Sequence, residues 1–136
     1  MRSSGPAAHH QRGAVGRRGV QEGRADSRRH RRPGDYDCYT YTVLVTLEDY
    51  GFCGKGEGGE LAASGALAPG GTLPTNTGGG QLSSFYLWGM TPLLEAVTQI
   101  RGQAGQRQVR RHETAIVSGN GGVLDHHGTV ILGAAR

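Results

Sequence analysis

The chain has 136 residues, of which 25 are glycine and 35% are hydrophobic, and its formal net charge is +4. This length accommodates one domain. No apolar run is long enough to span a membrane and the N-terminus lacks the apolar core of a secretory signal, so we expect a cytoplasmic protein. The two cysteines, Cys38 and Cys53, form neither a CxxC pair nor a disulfide framework.

The Arg-rich segment at the start of the chain differs from the rest in charge. Residues 1–34 hold nine Arg and two acidic residues, a net charge of +7, whereas residues 35–136 hold six basic and nine acidic residues, a net charge of −3. After Met1, the only large apolar residues of this segment are Val15 and Val20. Such a composition cannot offset the entropy lost on ordering, so we predict disorder for residues 1–34 and a domain over residues 35–136.

Three interpretations of the Arg-rich segment remain open. It is a basic arm that binds nucleic acid through its phosphates, an organellar transit peptide, or non-native sequence from a misassigned start or a shifted reading frame. The abrupt change of texture at Asp35 favours the third interpretation.

The next segment, "YTYTVLVTLEDY" (39–50), is ambiguous between a strand and a helix. Its density of Tyr, Thr and Val favours a strand over residues 39–47. Val43, Leu47 and Tyr50 nevertheless share one helical face, and Gly51 could end a helix. Residues 51–72 then read as a long glycine-rich loop, followed by a short extended piece, "TLPTN".

A helix is predicted from Thr91, with Thr91 as its cap, Pro92 in first position and Gly102 at its end. Its apolar face is Leu93, Leu94, Val97 and Ile100. A polar loop, "QAGQRQVRRHE" (103–113), follows. The apolar runs "TAIVSG" (114–119) and "TVILG" (129–133) are bounded by glycines, and each is predicted to be a buried strand. The order indicates an α/β fold.

Local motifs alone predict little chemistry. The glycine run at 78–80 is not followed by Gly-Lys-Ser/Thr and lacks the dinucleotide-binding spacing. Asp125-His126-His127 is better interpreted as a solvated turn than as a metal site, because adjacent strand residues point to opposite faces. Tyr36 and Tyr86, taken alone, are packing residues; a phenol with a pKa near ~10 is a poor base and a good hydrogen-bond donor.

Four segments together resemble the C-terminal half of thiolases. They are "YDCYTYTVLVTLEDYGFCGKGEGG" (36–59), "LPTNTGGG" with Tyr86 and Gly89 (73–89), "LLEAVTQIRGQAGQRQV" (93–109) and "AIVSGNGGV" (115–123). The resemblance is to the branch that contains the sterol carrier protein x thiolase and the bacterial steroid side-chain aldolases, often described as lipid-transfer proteins. It covers about residues 35–133.

The resemblance implies an α/β fold: an incomplete thiolase-like C-terminal half with a mixed sheet and packed helices, preceded by the disordered Arg-rich segment. The segment 39–50 becomes a helix, residues 74–77 a strand and residues 91–101 the next helix. The strand that should lead into Tyr36 is missing and is replaced by the Arg-rich segment.

The resemblance also implies site residues. Thiolases carry Asn or His at the position of Tyr36, a catalytic His at that of Tyr86, and an acid/base cysteine at about Ser118. A serine without a histidine neighbour cannot replace that thiolate. Tyr36 and Tyr86 are therefore the expected catalytic pair. The expected substrate-binding residues are Asn76, Gly79, Gly80, Asn120, Gly121 and Gly122.

The expected function is that of a fragment of a thiolase-like enzyme acting on CoA thioesters. The reaction is retro-aldol cleavage of a β-hydroxyacyl-CoA or acyl transfer, in lipid or steroid metabolism. We expect no cofactor beyond the CoA thioester substrate, no metal, and either a homodimer or a partner with an OB-fold and zinc ribbon. The isolated chain should be inactive, because the resemblance implies that a nucleophile and much of the CoA pocket lie in an N-terminal half. The alternatives are a non-catalytic acyl-CoA- or lipid-binding protein and an Arg-armed nucleic-acid binder.

Overall fold

A computed structural model describes residues 31–35, 37–84, 86–121 and 126–135, and only the backbone of Arg31, Arg32, Asp35 and Leu82. The elements in chain order are β1 (Arg31–Asp35), α1 (Thr40–Asp49), α2 (Gly58–Ala63), α3 (Gly80–Ser83), α4 (Met90–Ile100), a 3₁₀ turn (Gly105–Arg107), β2 (Thr114–Gly121) and β3 (His126–Gly133). None of the helices in these ranges has the length and apolar character needed to cross a membrane.

The three strands form one mixed sheet in the order β1-β2-β3. β1 runs parallel to β2, with Asp35 level with Ser118, and β2 runs antiparallel to β3, with Ser118 level with Thr129. The central strand is therefore β2, and its residues 115–118 are buried. β3 alternates between exposed and half-buried residues, so the prediction of a second buried strand is wrong at this edge of the sheet.

β1 corrects the expectation that the strand before Tyr36 is missing. Arg31–Asp35 pairs with Thr114–Ser118, so residues 31–34 are strand rather than disordered segment. Pro33 lacks a backbone N–H, and it is tolerated because β1 lies at the edge of the sheet. The prediction of disorder for residues 1–30, and the three interpretations of them, lie outside the described residues.

Helix α1 resolves the ambiguity of residues 39–50. Thr42, Val45, Thr46 and Leu47 are buried, and Leu47 is fully so. Contacts with the rest of the fold thus outweigh the local β propensity of this segment. Gly51 follows the helix at φ +77°, the left-handed conformation common after a helix C-terminus.

Helix α4 covers one face of the sheet. Ala96 packs with Ala115 and Val117 of β2, and partly buried Leu93, Ile100 and Leu132 surround them. The prediction of this helix is confirmed to within one residue at each end. The predicted cap is wrong: the helix begins at Met90, and the Thr91 hydroxyl instead accepts the Leu87 backbone N–H at 2.9 Å.

Two other expectations differ from the structure. The predicted loop 51–72 contains the short helix α2. Residues 74–77 form no strand: Asn76 adopts φ +50°, and its N–H reaches the Pro33 carbonyl of β1 at 3.3 Å. A residue in the left-handed region interrupts extended backbone. The Asn76–Pro33 hydrogen bond therefore attaches a turn to β1 and does not add a strand to the sheet.

Candidate active site

The glycine turn, residues 76–80, is the first part of the site. Asn76, Gly79 and Gly80 have φ values of +50°, +95° and +66°, and the Gly79 N–H donates to the Asn76 carbonyl at 2.9 Å. Glycine adopts this left-handed conformation without steric cost, and asparagine tolerates it better than most residues. The turn is therefore a defined backbone structure and not a flexible linker.

Asp37 connects the glycine turn to the segment that follows β1. Its carboxylate accepts the Gln81 N–H at 3.1 Å through Oδ1 and at 3.3 Å through Oδ2. A Cβ at Gly80 would collide with Asp37 Oδ2, so Gly80 is required for space as well as for its φ. The structure thus brings residues 76–81 next to Asp37, the neighbour of Tyr36, while Tyr36 itself lies outside the described residues.

Tyr86 follows α3 and is 57% exposed, so it is not a buried packing residue. Its ring lies 6.5 Å from that of Trp88, at an interplanar angle of 48°. Four more large apolar residues of this stretch are also exposed, and with Tyr86 they form the apolar patch: Tyr86, Leu87, Trp88, Met90 and Leu94.

Asn120 and Gly121 end β2, and Gly122 lies outside the described residues. The Cys38 thiol lies 3.9 Å from Asn120 Oδ1 and 3.7 Å from Thr42 Oγ1. Among the described residues, Asn120 Nδ2 is buried without a hydrogen-bond partner. A buried amide nitrogen loses hydration free energy unless it is paired.

Ser118 has a histidine neighbour, contrary to the sequence-based expectation. The Ser118 hydroxyl, buried to 2% exposure, lies 3.1 Å from His127 Nε2. The Tyr50 hydroxyl lies 2.8 Å from the same nitrogen and 2.7 Å from Thr129 Oγ1. We call these four residues the Ser118 network.

The Ser118 network was missed because residues 125–127 were interpreted as a turn. His126 and His127 instead open β3, and His127 shares a sheet face with Asn120, its partner in the register. A hairpin prediction that extended both strands to the glycines around 121–122 would have placed Ser118 and His127 on one face.

The Glu95 carboxylate supports the glycine turn through a hydrogen bond from Thr77. Glu95 Oε1 accepts hydrogen bonds of 2.8 Å from Thr77 and from Gln99, and Glu95 Oε2 accepts one of 3.0 Å from Arg107. Burial on its own raises the pKa of Glu95, but the hydrogen bonds from Gln99, Arg107 and Thr77 and the charge of Arg107 together lower it. Glu95 therefore stays ionised and holds Thr77 beside a cavity of about 40 Å³.

The family is identified from the sequence of residues 34–134. Residues 34–134 match the family model described as thiolase C-terminal domain-like. The chain belongs to this thiolase family. The family resemblance inferred from the four segments is thereby confirmed.

Individual relatives narrow the branch within the thiolase family. The 17-hydroxy-3-oxo-4-pregnene-20-carboxyl-CoA lyase of Mycobacterium tuberculosis is 42% identical over 86 residues, which cover 63% of this chain and 22% of the lyase. The steroid side-chain-cleaving aldolase of Thermomonospora curvata is 41% identical over 101 residues, which cover 74% of this chain and 25% of the aldolase.

The fold comparison agrees with these relatives. The solved structure named Ltp2-ChsH2(DUF35) aldolase matches with a TM-score of 0.79 and 34% identity, over 92% of this chain and 32% of that chain. The thiolase-like domain therefore spans about a fifth to a third of the length of the proteins it resembles.

The structure unites part of the predicted site of this thiolase-like domain. Asn76, Gly79 and Gly80 lie on one turn next to Asp37, and Asn120 lies by Cys38, which follows Asp37 in the chain. Tyr86 lies six residues after Gly80 in the chain, just beyond the end of α3. Within the described ranges, no group of three or more His, Cys, Asp or Glu side chains could hold a metal ion.

Proposed function

We propose that a protein of its relatives' length carrying this domain cleaves a carbon–carbon bond of a β-hydroxyacyl-CoA by a retro-aldol reaction. The observation that carries the proposal is Tyr86: a solvent-accessible phenol that follows a glycine turn tied by Asp37 to the segment of Tyr36. Two relatives bear the names of a steroid carboxyl-CoA lyase and a steroid side-chain-cleaving aldolase, which favours a steroid or related lipid acyl group.

The reaction defines what the site must do. A base removes the proton of the β-hydroxyl group, the Cα–Cβ bond breaks, and its electrons form the thioester enolate. The former hydroxyl carbon becomes a ketone, and protonation of Cα gives the shorter acyl-CoA. We assign Tyr36 and Tyr86 as the catalytic phenols, one near the reacting hydroxyl and the other donating to the developing enolate.

Six residues are proposed to bind the thioester. Gly79 and Gly80 lack side chains on a defined turn, so an acyl-CoA can approach the backbone closely. The buried Nδ2 of Asn120, unpaired among the described residues, supports a hydrogen bond to the substrate. The proposed set is Asn76, Gly79, Gly80, Asn120, Gly121 and Gly122.

A partner protein is part of the proposal. One structural relative is named as an Ltp2-ChsH2 aldolase, and this domain exposes the apolar patch around Tyr86 and Trp88. Apolar surfaces of this kind commonly contact other protein surfaces. We propose an OB-fold and zinc-ribbon partner or a homodimer, with the CoA thioester as substrate and no further cofactor. The cytoplasmic location remains a prediction from the sequence.

The test uses the full 136-residue chain co-expressed with the part of the Thermomonospora curvata aldolase that lies outside its 101 matched residues; we call this the hybrid assembly. It is incubated with 17-hydroxy-3-oxo-4-pregnene-20-carboxyl-CoA, and the products are separated by mass. Release of a ketone and a shorter acyl-CoA supports the lyase. Acyl transfer is assayed separately with a β-ketoacyl-CoA and free CoA, since thiolysis requires a carbonyl at the β-carbon; CoA-dependent cleavage of that ester alone supports acyl transfer instead. Binding without any product supports the non-catalytic alternative.

A further inference from the structure

Trp88 combines an exposed indole with a strained backbone. Its side chain is 70% exposed, and its φ is +50°, in the left-handed region. This region is rare for a bulky residue, and such strain is concentrated at sites of function. The next residue, Gly89, would adopt the left-handed region without steric cost but has an ordinary φ of −64°. The chain thus carries the bulky side chain at the strained position of this turn and the glycine at the relaxed one.

Three hydrogen bonds hold the turn that presents Trp88. The Met90 N–H donates to the Leu87 carbonyl at 3.0 Å, and the Thr91 N–H donates to the Trp88 carbonyl at 3.3 Å. The Leu87 N–H donates to the Thr91 hydroxyl at 2.9 Å. The turn is therefore fixed to the start of α4, and the backbone sets the direction of the indole although the ring is not buried.

The indole lies beside the proposed catalytic phenol. The centroids of the Trp88 and Tyr86 rings are 6.5 Å apart, within the range of aromatic pairs. The proposed role of Tyr86 brings the reacting carbons of the substrate within a hydrogen bond of its hydroxyl. Groups attached to those carbons can therefore reach the Trp88 ring.

Trp88 and the glycine turn lie on the same side of the sheet, because both are attached to α4. Trp88 precedes this helix, which begins at Met90, and Thr77 of the glycine turn bonds Glu95 at 2.8 Å. Met90 and Glu95 are five residues apart, which is about 7.5 Å along a helix axis. A thioester bound at the glycine turn thus has the indole within the span of an acyl group.

Trp88 differs from the helical part of the apolar patch. Met90 and Leu94 are 50% and 46% exposed and lie four residues apart on α4, so they form a stripe on one helical face. Trp88 lies outside the helix and pairs with Tyr86 instead. The stripe remains for the protein partner proposed above, and the indole is assigned separately.

We propose that Trp88 is a specificity residue of the lyase, an inference that rests on the function proposed above. Its indole contacts the part of the acyl group that is attached at the β-carbon and leaves as the ketone. The ligand class is an acyl-CoA whose β-carbon belongs to a rigid, apolar ring system. The flat face of such a ring covers the indole and removes both from water, and a rigid ring loses little conformational freedom on binding.

Roles in folding or docking make different predictions for Trp88. An indole that stabilised the fold would lower the melting temperature when removed, and one that held the partner would dissociate the hybrid assembly. Asparagine tolerates the left-handed region better than tryptophan. Trp88→Asn therefore relieves backbone strain, so we expect an equal or higher melting temperature and an intact assembly.

The assay compares Trp88→Asn, Trp88→Phe and the control Val130→Thr in the hybrid assembly with 17-hydroxy-3-oxo-4-pregnene-20-carboxyl-CoA, the steroid ester. Val130 is an exposed apolar residue of β3, and threonine keeps its β propensity. We expect Trp88→Asn to lower kcat/KM by about 10–10²-fold, mainly through KM, and Trp88→Phe to restore most of it. Val130→Thr should equal the wild type.

The shorter acyl-CoA product is a second control, because it lacks the departing ring. Its Ki against the steroid ester should be the same in the wild type and in Trp88→Asn. A Ki that rises together with KM would show that Trp88 acts on the CoA site or on the fold as a whole, and would overturn the proposal.

A further measurement needs no turnover. Trp88 is the only tryptophan of the chain, so the emission of the wild-type hybrid assembly minus that of Trp88→Phe isolates this indole. Saturating steroid ester should shift this emission to shorter wavelength as water leaves the ring, whereas the shorter acyl-CoA should not. An unchanged emission with the steroid ester bound overturns the contact.

The outcomes separate this proposal from the lyase function. Wild-type cleavage with an unchanged KM in Trp88→Asn overturns the role of Trp88 and leaves the lyase function standing. Binding of the steroid ester without cleavage overturns the lyase function, and the emission shift then decides the Trp88 contact by itself. A clearly lower melting temperature or a dissociated assembly in Trp88→Asn assigns the indole to folding or docking and overturns the proposal.

Discussion

The Asp37 carboxylate accepts the backbone N–H of Gln81, at 3.1 Å through its Oδ1 atom, and so joins two segments that are 44 residues apart in the chain. This bond sets where the glycine turn lies relative to β1. Asn76 adds a second tie through its N–H to the Pro33 carbonyl, at 3.3 Å. These two contacts, together with the Thr77–Glu95 hydrogen bond, place the glycine turn of the proposed site.

Gly80→Ala should destabilise the domain. Gly80 has φ +66°, and a Cβ there meets Asp37 Oδ2. The left-handed conformation alone costs a residue with a Cβ about 1–2 kcal/mol, and the collision adds to this. Urea unfolding of the two chains measures the difference in the free energy of unfolding.

The matched control is Gly59→Ala. Gly59 lies in helix α2, and an added Cβ meets nothing within 4 Å. Because alanine is the better helix former by about 0.5–1 kcal/mol, this variant should equal or exceed the wild type in stability. Equal losses in the two variants would contradict the role assigned to the Asp37 contact.

Tyr86→Phe should lower kcat of the hybrid assembly by roughly 10²–10³, or about 2.7–4 kcal/mol, which is the usual loss for one oxyanion donor. The ring and its contact with Trp88 remain, so stability and KM should change little. Tyr41→Phe, at an exposed tyrosine of α1, is the control and should keep full activity. An unchanged kcat would mean that Tyr86 serves packing only.

Tyr86→His should not create thiolase activity. The resemblance places the acid/base cysteine of thiolases at about Ser118, and this chain holds its only thiols at Cys38 and Cys53. Without a thiolate at position 118, a restored histidine lacks the group it would work with. CoA-dependent cleavage by the Tyr86→His variant, absent from the wild type, would contradict this reasoning.

The 136-residue chain alone should turn over no acyl-CoA. Tyr86 is 57% exposed in it, and a donor in contact with water stabilises a developing enolate far less than one in a closed site. The control is the same preparation in the hybrid assembly. Steady ketone release by the purified chain would show that this domain suffices for the reaction.

Glu95→Gln should destabilise the domain at pH 7 by about 1.5–3 kcal/mol, the usual range for hydrogen bonds to a charged group. The pKa of Glu95 is lowered in the folded chain from its ordinary value of 4.5, so its charge stabilises the fold above that pH. The stabilisation is lost as the pH falls through the lowered folded pKa.

The measurement for Glu95 is a series of unfolding curves between pH 7 and pH 2. The difference in the free energy of unfolding between wild type and Glu95→Gln should become smaller as the pH falls below about 4.5. Glu113→Gln, at an exposed carboxylate before β2, should show no comparable gap at any pH. A gap that stays constant with pH would show that the Glu95 charge does not contribute.

Much of the fold was accessible from local sequence patterns. Helix α4 was predicted to within one residue because its apolar residues recur at helical spacing and Gly102 follows it. β2 and the central residues of β3 were predicted because short apolar runs that end at glycines are typical of strands. Helix α1 required the family resemblance, since its local residues favour a strand as much as a helix.

The sequence by itself determined helix α4, the positions of the two C-terminal strands and the thiolase family, because each depends on residues close together in the chain or on whole segments that resemble the family. Only the tertiary structure decided that Arg31–Asp35 is a strand and that Ser118 meets His127. The strand has no apolar alternation, and it exists through its parallel pairing with β2. The Ser118 contact depends on hairpin register, in which a slip of one residue would turn His127 to the opposite face.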